Sequence, residues 1–135
     1  MNYKLILALS GFGLAMGIAT VYVVPSNIEP ICWLVIFVIC AVLIARFAPG
    51  RPFLHGLLVG LANSVWITGA HVILYEPYVA SHAHELQMMQ GAPFPPRAMM
   101  LLVGPVIGLI SGVVLGLFSV VASKLVKRAQ VAPAA

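Results

Sequence analysis

A chain of 135 residues with 62% hydrophobic and only 7% charged side chains cannot cover a soluble domain with polar surface, so it reads as an all-α membrane protein. Four spans of about 20 residues each would use most of that length and leave no room for a separate soluble module. The formal net charge of +4 comes from residues flanking the apolar runs; no basic patch of the kind a nucleic acid requires is present, and the expected partner is the lipid bilayer.

The first apolar run, residues 5–24, carries no charge and stops at Pro25-Ser26-Asn27, long enough to cross a hydrocarbon core of roughly 30 Å. Lys4 and the small-x-small triplet Gly17-Ile18-Ala19 would also fit a cleavable leader, but the run exceeds a leader's apolar core and reads as a signal anchor. A second span, 31–46, ends in Ala48-Pro49-Gly50-Arg51-Pro52, a stretch no helix can run through. The third span covers 54–74. An outer loop at 75–97 leads to the fourth, 99–123, whose exit is marked by Lys124, Lys127 and Arg128. Residues 1–128 thus form a single transmembrane domain, and 129–135 a disordered tail.

Basic residues resist translocation and mark the cytoplasmic side. With four spans, Lys4, Arg46, Arg51, Lys124, Lys127 and Arg128 share one side, whereas the other receives Arg97 and all three acids, Glu29, Glu76 and Glu85. The predicted topology is a four-helix transmembrane bundle with both termini in the cytoplasm, placed in a bacterial inner membrane.

In the fourth span Gly104, Gly108, Gly112 and Gly116 recur every four residues and clear one helix face of side chains. Helices in lipid associate through van der Waals contact, and small-xxx-small ridges allow the closest approach. The third span carries a similar ridge, Gly56, Gly60, Ser64 and Thr68, and the first carries Gly13 and Gly17. The second has no glycine. Helices one, three and four are therefore expected to pack tightly, with helix two outermost and facing lipid. A ridge left over would suit a second copy of the chain or another membrane protein.

No carboxylate lies inside a span. Asn63, Ser64, Thr68 and His71 give the third helix a polar side, and His55 lies near its other end. Interhelical hydrogen bonds, each worth about 1 kcal/mol or less, account for such residues and are the favoured reading. A solute pathway along that side is the alternative.

The outer loop concentrates the remaining functional groups: Tyr75, Glu76, Tyr78, His82, His84, Glu85 and the Met88-Met89 pair, followed by Pro93-Phe94-Pro95-Pro96. Residues 77–90 fit one short helix with proline in its first turn. On it His82 and Glu85 would face one ion, with Glu76 or His71 completing a zinc or copper site and nearby methionines suiting monovalent copper. Solvated histidines and apolar methionines are the plainer account, and no cofactor is expected. Cys32 and Cys40 form no C-x-x-C, and no catalytic arrangement can be assembled, so the chain is not expected to be an enzyme. The leading expectation is an accessory or assembly subunit packed through glycine ridges, with a small channel or transporter as its rival.

Overall fold

The computed structural model describes residues 1–48 and 50–131, with side chains as far as Val126. The side chains of Lys127 and Arg128, Pro49 and residues 132–135 lie outside the described residues. Six helices follow one another: α1 (Tyr3–Tyr22), α2 (Glu29–Phe47), α3 (Pro52–Ile73), α4 (Tyr75–Ser81), α5 (Ala83–Met89) and α6 (Pro96–Val131). Four of them, α1, α2, α3 and α6, are long and apolar enough to cross a membrane. Local chemistry sets their starts: the Asn2 side chain accepts from the Leu5 N–H at 3.1 Å to cap α1, and α2 and α3 each carry proline in the first turn, where no N–H is needed. α6 continues through Val131 across residues expected to be a loose tail, because nothing between Lys124 and Val131 is glycine or proline.

α3 is the central element. Its largest interface is with α6, α1 packs against it on another side, and α2 packs on α6. The α3–α6 contact is backbone against backbone: a β-carbon built on Gly56 would sit 2.6 Å from Gly116 Cα, and one on Gly112 would sit 2.7 Å from the Leu57 carbonyl oxygen. Gly60 and Gly112 meet directly, while Gly108 receives the Ser64 side chain and Gly104 that of Thr68. On the other side of α3, a β-carbon on Gly13 would lie 2.6 Å from Asn63 Cα, and Gly17 fits against Ile67 and Ala70. Both glycine ridges of the last two spans are thus spent on each other within the chain.

Helix two, expected outermost, keeps an exposed apolar face at Ile31, Leu34, Val35, Val38 and Val42, and packs through its other side. Cys40, Ala41, Ile44, Ala45 and Ala48 are buried in one cluster with Val59, Leu115 and Ala122. Alanines at 41, 45 and 48 do for α2 what glycine does elsewhere, clearing a face for close contact. All the buried residues of α2 fall in this second half, from Cys40 onward.

Candidate functional site

Two features qualify: a polar cluster where α4 and α5 meet the end of α1, and a cavity between α2, α3 and α6.

The cluster begins with a break in the expected loop helix. His82 adopts φ −127° and ψ 48°, so one helix becomes two, α4 and α5. Its side chain turns back, with Nδ1 3.0 Å from the Tyr78 carbonyl oxygen and 2.9 Å from Ser81 Oγ. A carbonyl only accepts, so Nδ1 holds the proton and the buried Nε2 is left as an acceptor with no donor among the described residues. Tyr78 is sandwiched between two imidazoles, with ring centroids 4.2 Å from His71 and 4.3 Å from His82. His71 Nε2 lies 2.8 Å from Thr20 Oγ1, and Ser81 Oγ donates to the Val21 carbonyl at 3.2 Å, so the stack ties α4 to both α3 and α1. Ser26 adds a second tie by donating to Glu85 Oε1 at 2.7 Å.

This arrangement separates the four residues considered for a metal. His71 bonds Thr20, Glu85 bonds Ser26, Glu76 faces Arg97 at 3.5 Å, and the Tyr78 ring stands between His71 and His82. Among the described residues no group of three His, Cys, Asp or Glu could hold an ion. The polar side of the third helix divides likewise. Ser64 and Thr68 face the glycines of α6, whereas Asn63 accepts from the Gly13 N–H at 3.1 Å and His71 meets Thr20, both on α1. At the other end of α3, buried His55 bridges helices as well: Nε2 accepts from the Asn2 N–H at 3.0 Å while Nδ1 donates to the Arg51 carbonyl at 2.7 Å.

Charge sets the pH range of the docked loop. The Ser26 hydroxyl holds the Glu85 pKa below the ordinary glutamate value, a contribution present above that value and lost as pH falls through the lowered one. Burial, then the negative charges of Glu85 and Glu29, push the Tyr78 phenol from 10.0 up to about 12, so its contribution is whole below 10 and lost as pH rises through 12. Limited proteolysis of the α4–α5 segment is expected to accelerate at both extremes. Ser26→Ala should remove the acid limb and Tyr78→Phe the alkaline one; a cleavage rate flat with pH in the unaltered protein contradicts both assignments.

The cavity, a half-open cleft, has a volume of about 540 Å³. It lies beside the first half of α2, Glu29 to Phe37, where no residue of the helix is fully buried. Trp33 meets Phe37 edge-on at 6.0 Å, and Phe37 meets Phe118 of α6 at 6.3 Å. Gly60 and Gly108 also line it, with Asn63, Ser64 and Ser111 supplying polar atoms, and Glu29 and Ser26 lie at the end where α2 begins. The carboxylate of Glu29 is held by the Trp33 indole N–H at 3.1 Å. Reading the sequence for glycine and for polar side chains within the spans overlooks this site. Its signal is the stripe Glu29, Trp33, Phe37, spaced by four residues along one face of α2.

In comparisons with known proteins, no family model, no curated protein and no solved structure matches the chain.

Proposed function

We propose that the chain is a non-catalytic transmembrane bundle that works as an accessory or assembly subunit, with its basic end in the cytoplasm of a bacterial inner membrane. One observation carries this reading: the polar side chains of α3 each meet another helix of the same chain, which supports a role in cohesion. With the glycines of the α3–α6 contact used internally, the protein would meet a partner through the apolar outer faces of α1 and α2, where Leu7, Leu14, Ile31, Val35 and Val38 are exposed. Tagged protein drawn from its native membrane in mild detergent should bring a second membrane protein in fixed ratio. Recovery of this chain alone, as monomer or homo-oligomer, removes the reading. Reporter fusions at residue 135 and within 91–95 should report opposite sides of the membrane.

A small transporter is the second reading, favoured by the cavity that reaches Asn63 and Ser64 near the middle of α3. Reconstituted vesicles should then pass a solute at a rate altered by His71→Ala or Ser64→Leu; no flux across a broad solute screen ends it.

A further inference from the structure

The cavity combines three chemical features that together select a ligand. Its size falls in the range of about 300–1,000 Å³ typical of small-molecule sites. Its lining is mostly apolar: the aromatic rings of Trp33, Phe37 and Phe118 with the aliphatic side chains of Leu34, Ile67, Ile107 and Val114. The end at which α2 begins is acidic. Glu29 opens onto the cavity, and Glu85 is joined to Ser26, which also lines it. Neither carboxylate is paired with a cation among the described residues, whereas Arg97, the basic residue of this end, is engaged by Glu76 and by the Tyr75 ring.

A further detail lies deeper. Among the described serines of the four long helices, Ser10, Ser64, Ser119 and Ser123 donate to carbonyls of their own helices. Ser111 lines the cavity and has no such partner, which leaves its hydroxyl free for an occupant.

We propose that this cavity binds an amphiphilic organic cation, its aromatic or apolar body between the rings and the aliphatic side chains of α3 and α6, its positive group at Glu29 and over the Trp33 ring. The carboxylate fixes the sign of the ligand, and the indole face attracts a cation from the opposite side. An anionic amphiphile is repelled at the same end, and a neutral one loses the contact that Glu29 offers. The inference concerns binding only, so it stands or falls separately from partner capture and from solute flux.

Trp33 reports the test. In a Trp66→Phe background it is the one tryptophan left, since the chain has two. Purified protein in uncharged detergent is titrated with N-methyl-4-phenylpyridinium, its neutral counterpart 4-methylbiphenyl, and biphenyl-4-carboxylate, while Trp33 fluorescence is followed. The cation should cause saturable quenching at least tenfold tighter than either of the others. Glu29→Gln, which keeps an oxygen to accept from the indole, should weaken it about fivefold to tenfold, and Ser111→Phe, which fills the space, should abolish it. A Ser111→Phe protein that has lost its helical signal is replaced by Val114→Phe, which also lines the cavity. Equal binding of all three probes, an unchanged affinity in Glu29→Gln, or absence of saturable quenching overturns the proposal.

Discussion

Gly60→Ala is expected to force α3 and α6 apart and to destabilise the protein by about 1–3 kcal/mol, the usual cost of overpacking. A β-carbon at this position runs into the backbone of Gly112, and backbone cannot rotate out of the way as a flexible side chain can. Alanine also favours helix over glycine by up to about 1 kcal/mol, so the two effects oppose one another and the steric one should win. Gly69→Ala and Gly11→Ala separate them: nothing lies within 4 Å of a β-carbon there, leaving the helix gain alone. Thermal unfolding in detergent should therefore show a fall for Gly60→Ala and Gly56→Ala, and no fall for the two controls. Equal midpoints across the four variants would sink the idea of direct backbone contact.

Ile44→Ala is the second large effect, and it acts on α2. Ile44 is fully buried beside Ala41, Ala45 and Leu115. In a bilayer its transfer term nearly vanishes, because a separated helix would place the side chain among lipid chains that are just as apolar. The void remains: about 60 Å³ left empty, at about 24 cal/mol per Å³, costs about 1.5 kcal/mol. Ile39→Ala, on the exposed face of the same helix, should cost almost nothing. Cys40, itself without exposure, supplies the readout. In a Cys32→Ser background a membrane-permeant maleimide should label Cys40 several times faster in Ile44→Ala than in Ile39→Ala. Indistinguishable rates would mean that α2 is not held by this cluster.

Much of the helical framework was legible in the sequence because lipid tolerates few solutions: four uncharged runs must be helices, and breakers such as Pro25 and Pro52 divide them. Glycines of α1, α3 and α6 lie where the backbones of these helices approach one another. Other features escaped for identifiable reasons. The docking of α2 rests on Ala41, Ala45 and Ala48, and alanine is too common in apolar helices to stand out as glycine does. The break at His82 was invisible because histidine is no helix breaker; the bend depends on Tyr78 and Ser81 capturing the imidazole. The grouping of Asn63 and His71 with Ser64 and Thr68 followed helix geometry, but adjacent positions on a crowded central helix belong to different neighbours. The cavity needed three helices to be placed before Glu29, Trp33 and Phe118 shared a space, and no local pattern encodes such a placement.

The pairing of the long helices also bears on the order in which the protein is made. α1 and α2 leave the ribosome before α3 and α6, yet they scarcely touch one another; α1 packs on α3 and α2 on α6. The first hairpin is therefore a pair of strangers until its successors arrive. The second hairpin, by contrast, carries its own adhesive in the facing glycines of α3 and α6. Synthesis thus delivers α1 and α2 before α3 and α6, the helices on which they pack, have emerged.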